Sequence, residues 1–168
     1  MTASVLVQSI FLKEVMIINV LELVIDDSVL EKYNEYYFSI HTKARKIPIP
    51  KPYHESINAW MIMKRPMMNA LKQRWKDFIK WWITDLGYNN LRIEKCEIEQ
   101  SVYFATSLRH DIDNTVPKFI LDGFVESGLI VDDDCKHIQK LTLMCDVDKS
   151  HPRTVLKITD LEIERKEM

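Results

Sequence analysis

The sequence predicts an α+β fold, a single domain in which helices pack on a mixed β-sheet. Three observations carry that expectation. Between positions 69 and 86, Leu71, Trp75, Phe78, Trp82 and Leu86 recur at steps of three and four, the period of one helix face. Two other stretches alternate instead. Ile98, Val102 and Phe104 share one alternating set within 92–104, and Leu141, Leu143, Cys145 and Val147 form another within 141–147. With 168 residues, three glycines and six prolines, the chain has the length of one domain and no stretch that reads as a linker, repeat or low-complexity segment.

In chain order, residues 17–25 read as a strand, and Asp27-Ser28 opens a helix running through Leu30, Tyr33 and Tyr37. The stretch 46–53 contains three prolines, which lack donors and push their predecessors to extended backbone, so an edge strand leading into a loop is expected there. The helix over 69–86 stops at Gly87. A second face of it carries Lys72, Lys76 and Lys80 every four residues, with Lys64 and Arg65 just ahead. The strands at 92–104 and 141–147 are expected to be sheet partners. Between them Asn114 should cap a helix over about 115–127, with Pro117 in its first turn and Gly128 at its end. Residues 129–131 then form a short strand running directly into Asp132, Asp133 and Asp134.

The net charge of −2 argues against a generic polyanion-binding protein, yet the charges are segregated. Residues 43–80 hold ten Lys or Arg against two carboxylates; residues 93–134 hold three against ten. A basic region that attracts a polyanion beside an acidic region that holds metal suits a cation-assisted phosphodiesterase. Chance segregation that folding mixes again is the plainer alternative. Three cysteines, Cys96, Cys135 and Cys145, without CxxC spacing, suit free thiols in a reducing compartment better than a disulfide framework or a zinc site. The apolar stretch 4–25 is interrupted by Gln8, Lys13, Glu14 and Glu22, and a spanning helix needs about 20 residues with few or no charges. A cytoplasmic protein with no membrane partner is expected.

Chemistry concentrates in two acidic groups. Asp111 and Asp113 precede the expected helix, and Asp132, Asp133 and Asp134 follow it. A helix of about 13 residues spans roughly 20 Å, so a short return strand can bring the groups together. Converging carboxylates repel unless a cation compensates, and Mg²⁺ takes one or two carboxylates plus waters and phosphate oxygens. The competing reading makes Asp111 and Asp113 turn and cap residues and Asp132 to Asp134 a solvated turn. An EF-hand loop starting at Asp111 fails, because its glycine position is Val116 and the next is Pro117. His110 and His137 flank the acids and read more simply as surface hydrogen-bond partners.

The run His110-Asp-Ile-Asp-Asn114, followed by Lys118, Leu121-Asp-Gly-Phe124, Ser127-Gly128 and Val131-Asp-Asp133, resembles the signature of the RusA-type Holliday junction resolvases. More loosely, Ile47-Pro-Ile-Pro-Lys-Pro followed by Ser56-Ile-Asn58 is similar to that family's proline-containing strand and Ser-x-Asn turn. The resemblance covers 109–138 well. It leaves 1–42 as a poorly matched N-terminal extension of a single domain over 1–168.

The resemblance implies a homodimeric, Mg²⁺-dependent endonuclease, with Mn²⁺ as a substitute, that nicks two strands of a four-way DNA junction in recombination and repair. It implies a bacterial or phage origin. Asp111, Asp113, Asp132 and Asp133 match the family's metal-binding acids, with Asp111, Asp113 and Asp133 the catalytic set. Lys118 stands in for the catalytic lysine, although it follows Asp113 after five residues where the family's lysine follows after four. Lys64, Arg65, Lys72, Lys76 and Lys80 are the candidates for DNA-backbone contacts. A non-catalytic junction-binding protein and a nuclease for other branched DNA are the rival expectations.

Overall fold

The computed structural model describes residues 9–12 and 15–162. Strands β1 (Ser9–Leu12) and β2 (Val15–Ile18) form a hairpin, and β3 (Val20–Ile25) follows after Asn19, so the single strand expected over 17–25 is broken there. Helix α1 (Asp27–Ile40) begins where Asp26 accepts hydrogen bonds from the Val29 amide at 3.1 Å and the Ser28 hydroxyl at 2.6 Å, one residue ahead of the expected cap. After a long irregular stretch come α2 (Ile57–Met61) and α3 (Arg65–Asp85). Helix α3 starts four residues earlier than its apolar stripe suggests, because Pro66 sits in the first turn, where its missing N–H has no partner to lose.

The remaining elements are β4 (Cys96–Phe104), a 3-10 turn (Ile112–Thr115), α4 (Lys118–Ser127), β5 (Ile138–Val147) and β6 (Arg153–Asp160). Four strands make one mixed sheet in the order β3-β6-β4-β5, antiparallel except for the parallel β4·β5 pair. The α+β architecture is therefore as expected, and so is the partnership of β4 with β5. Strand β6 was not anticipated, although Thr154, Leu156 and Ile158 alternate on its buried side. Together with β4 it forms the centre of the sheet.

One face of the sheet is covered. Leu21, Leu23, Ile25, Leu156, Ile158, Cys96 and Ile98 join Leu30, Tyr33, Trp75, Phe78, Ile79, Trp82, Ile83, Phe119, Ile120 and Phe124 from the helices in one core. Each large apolar side chain fully buried there contributes about 1.5–3 kcal/mol. The opposite face carries loose surface pairs such as Lys157–Glu99 at 3.7 Å. This one-sided burial explains the clean alternation of β4, buried at every second residue along its length. The poorly matched stretch before residue 43 thus supplies an edge strand and a core helix.

Two further expectations are corrected. Residues 46–53 form no strand; they are irregular chain, with Ile49 buried and the Pro52 carbonyl accepting a 2.7 Å bond from the Thr154 hydroxyl. Prolines cannot donate to a ladder, so a side chain makes the tie. Asn114 caps no helix. Val116, preceding Pro117, is forced to extended backbone (φ −53°, ψ 124°), which splits the expected 115–127 helix into the 3-10 turn and α4. At the other end Gly128 (φ +79°) closes α4 as expected. Residues 129–131 contribute only an isolated parallel bridge, Ile93 with Ile130. Among the described residues no helix is long and apolar enough to cross a membrane, and the three cysteines are free.

Helix α4 lies unusually close to α3. A Cβ added at Gly123 would stand 2.6 Å from Ile79 Cβ, an atom fixed to its own backbone. Gly123→Ala is accordingly expected to lower stability by about 1–3 kcal/mol in urea unfolding, since overpacking must push the helices apart. A variant as stable as wild type would show that the two helices are not held at this distance.

Candidate functional site

The N-terminus of α4 has no cap from its own sequence neighbours. The buried His54 ring takes that place. Its Nε2 accepts the Phe119 amide at 3.2 Å, while Nδ1 donates to the Glu55 carbonyl at 2.6 Å. Those two bonds require one neutral tautomer. Burial lowers the His54 pKa below its ordinary 6.5, as does the positive charge of Lys51, against the opposing pull of the Glu55 carbonyl and of the Glu55 and Asp122 carboxylates. Next in sequence, Glu55 accepts the Trp75 indole N–H at 2.8 Å. The irregular proline segment is thereby fixed to both α3 and α4.

With α4 held, its charged side chains meet those of α3 and of the acid triplet. Lys118 donates to Asp122 and to Asp133, each at 3.0 Å, and Lys72 reaches the other Asp122 oxygen at 2.9 Å. Lys76 and Glu126 pair at 2.5 Å one turn along. Partial burial opposes the Lys118 charge, but the hydrogen bonds and charges of Asp122 and Asp133 hold its pKa above the ordinary value. Asp122 is likewise half-buried, and Lys72 and Lys118 keep its carboxyl below the usual range. The result is a chain of alternating charge: Lys72, Asp122, Lys118, Asp133.

The other acid group sits on the 3-10 turn. Its anchor is Gln100, a fully buried amide in β4 whose Nε2 donates to the Thr115 carbonyl at 2.6 Å. Before the turn, His110 stacks on Phe104 with ring centroids 3.6 Å apart, and the exposed Arg109 and Asp111 pair at 3.3 Å. Asp113 is exposed and has no hydrogen-bond or ion-pair partner among the described residues. An open cleft of about 330 Å³ runs alongside. Lys51, Ser56 and Asn58 line it together with His110, Asp111 and Asn114.

The expected site residues are therefore partly gathered. Asp133 and Lys118 touch. Asp111 and Asp113 share the 3-10 turn but do not join Asp133 in a set close enough to share one ion. The one such set among the described residues is Asp132, Asp134 and His137. The reason is local: Asp111 is turned to Arg109, Asp133 to Lys118, and unneutralised carboxylates stay apart. Asp132 accepts the Asp133 amide, and Asp134 accepts the Lys136 and His137 amides and the His137 ring, which are turn-capping roles. Of the basic candidates, Lys72 and Lys76 are paired with α4. Lys64, Arg65 and Lys80 are exposed without an ion pair among the described residues.

Three contributors went unread in the sequence. Gln100 could have been found as the polar residue on the apolar side of an alternating strand, and Asp122 as the acid one helical turn after Lys118. Nothing in the sequence marks His54 as a cap. No protein-family model matches the chain, and no curated protein matches it.

The His54 cap carries a pH signature. A histidine whose pKa is lowered by folding binds fewer protons folded than unfolded, so its contribution is full above pH 6.5 and declines as pH falls below that value. Wild type should lose up to about 1.4 kcal/mol per pH unit on that limb, and His54→Gln should flatten it in chemical unfolding measured at each pH. Parallel profiles for the two proteins would refute the cap.

Proposed function

We propose that the protein is a metal-dependent endonuclease acting on branched DNA, with four-way junctions as its substrate class. One observation carries this reading. The two sequence stretches that resemble the RusA-type resolvases lie more than fifty residues apart, yet Lys51, Ser56 and Asn58 of the first line the same cleft as His110, Asp111 and Asn114 of the second. Convergence of both stretches on a single concave surface is what a shared active site requires. Asp111 lines that cleft, and it and Asp113, Asp132 and Asp133 offer only hard oxygen donors, which fit Mg²⁺ or Mn²⁺ in chemistry.

Such an ion, when bound, supplies a polarised phosphate and an acidified water. The chain's own residues do the rest. Lys118, kept protonated by Asp122 and Asp133, presents a fixed positive charge where negative charge builds on a phosphate. Lys51, Lys64, Arg65 and Lys80 supply exposed or half-exposed charge for the DNA backbone. Two nicks at one junction call for two copies of the chain. A cytoplasmic setting in a bacterium or phage belongs to the same proposal.

A second reading, a junction-binding protein without catalysis, is favoured by the turn-capping roles of Asp132 and Asp134 and by the Lys118–Asp133 pair. Incubation of a labelled four-way junction with the protein in Mg²⁺ separates the two. Wild type should cut, and Asp111→Asn or Lys118→Met should each slow cutting by about a hundredfold or more with junction binding retained. Binding without any cutting by wild type would favour the second reading; cutting of flaps in preference to junctions would move the substrate to other branched DNA.

A further inference from the structure

We propose that the groove between α1 and α3 is a docking site for an arginine side chain of a partner protein, recognised by the tyrosine rings of α1 together with Asp77. The inference is independent of the nuclease reading. Two stripes of four-residue spacing line this groove: Tyr33, Tyr37 and His41 along α1 and its C-terminal cap, and Asp77, Trp81 and Asp85 along α3. The first stripe is wholly ring-bearing, and the second alternates carboxylate with indole. The space between them is about 580 Å³. Its rim is apolar and open, with Tyr36 42% and Ile40 56% exposed.

Rings and carboxylates set side by side suit an organic cation, because the ring face is electron-rich and the carboxylate supplies a full negative charge. The fold fills two such places from its own chain. Arg153 lies over the Tyr103 ring at 3.8 Å and donates to Asp148 at 2.8 Å. At one end of the groove the Lys32 ammonium bonds Asp85 at 2.5 Å and stands 6.0 Å from the centroid of the Trp81 ring. At the other end the same elements recur without their cation. Asp77 accepts the Gln73 amide at 2.8 Å through one oxygen and pairs with no lysine or arginine among the described residues.

Asp77 and Asp85 lie eight residues apart on one helix, a rise of about 12 Å, so a cation at Asp77 does not compete with Lys32. The neighbouring rings are close enough to feel the Asp77 charge. Burial pushes the Tyr33 phenol above its ordinary value, and the Asp77 carboxylate adds to that effect. Tyr37 is held beside it, 6.1 Å from the Tyr33 ring, with His41 stacked on it at 4.2 Å. A guanidinium suits this place better than an ammonium. It lies flat on a ring while its edge donates to a carboxylate, as Arg153 does, and it is more weakly hydrated. Lys80 also lines the groove and opposes a bound cation, but it is exposed and free to swing into solvent. Tyr36 and Ile40 at the rim give apolar contact to the residues on either side of the arginine, which favours a polypeptide over a free guanidinium compound.

Titration of the full chain with an end-blocked Gly-Arg-Gly peptide, followed by calorimetry and by the indole N–H resonance of Trp81, tests the proposal. The arginine peptide should bind with a dissociation constant of about 1 mM or tighter, and its lysine counterpart about threefold more weakly. A citrulline counterpart, which keeps the shape and loses the charge, should bind at least about tenfold more weakly than arginine. Asp77→Asn, at an exposed position that carries no core packing, should weaken the arginine peptide about tenfold, and Lys80→Met should strengthen it about twofold. Absence of binding at about 10 mM peptide, equal binding of the citrulline peptide, or an Asp77→Asn variant that binds like wild type would overturn the site. Equal affinity for free methylguanidinium would overturn a polypeptide as its occupant, and so would a Trp81 resonance that moves with a single-stranded oligonucleotide but not with the arginine peptide.

Discussion

Gly123 lets α4 lie against α3 with Ile79 where a side chain would otherwise stand, and the charged surface beside it inherits its geometry from that contact. Only at that separation do Lys72 and Lys76 of α3 meet Asp122 and Glu126 of α4. The same placement points the first turn of α4 at His54 on one side and at Asp133 on the other. Helix α4 is short, and an isolated helix of ten residues is marginal in water. Its stability comes from Phe119, Ile120 and Phe124 in the core and from the cap that a distant histidine supplies. A packing constraint between two helices thus fixes where a lysine and three carboxylates stand.

The segregation of charge along the sequence takes a different meaning in three dimensions. Two residues of the basic stretch, Lys72 and Lys76, pair with two of the acidic stretch, Asp122 and Glu126, across the interface of α3 and α4. Exposed pairs of this kind contribute at most about 1 kcal/mol each. Eight of the ten basic residues over 43–80, Lys64, Arg65 and Lys80 among them, have no ion pair among the described residues, and neither has Asp113 on the acidic side.

Elements with strong periodicity were legible in the sequence because one-sided burial imposes it. Helix α3 and strand β4 each expose one face and bury the other, and each was read with its type correct. The failures have particular causes. Pro117 was allowed into a helix as a first-turn residue, but its effect falls on Val116, which it drives extended. Residues 46–53 were read as an edge strand from the same prolines, whereas Thr154, His54 and Glu55 hold them by side-chain bonds that no local pattern announces. Strand β6 carried a clear alternation that went unread. At the candidate site the acids were found by type and spacing, but their present partners, Arg109 for Asp111 and Lys118 for Asp133, depend on side-chain directions set by packing.

Gln100 shows what the fold gives up to position the acidic turn. It occupies a fully buried place on β4 between Ile98 and Val102, where an aliphatic residue would be favoured by about 1.5–3 kcal/mol of burial. Its amide oxygen has no hydrogen-bond partner among the described residues, and an unsatisfied buried acceptor costs about 1–3 kcal/mol. The compensating bond runs from its amide nitrogen to the Thr115 carbonyl, at the end of the turn that carries Asp111 and Asp113. An apolar residue there would seal the sheet and leave that carbonyl unsatisfied, freeing the turn to drift from the cleft. A polar side chain kept in the core at this cost ties the position of an exposed acidic loop to a central strand of the sheet, and it is the loop that gains from the arrangement.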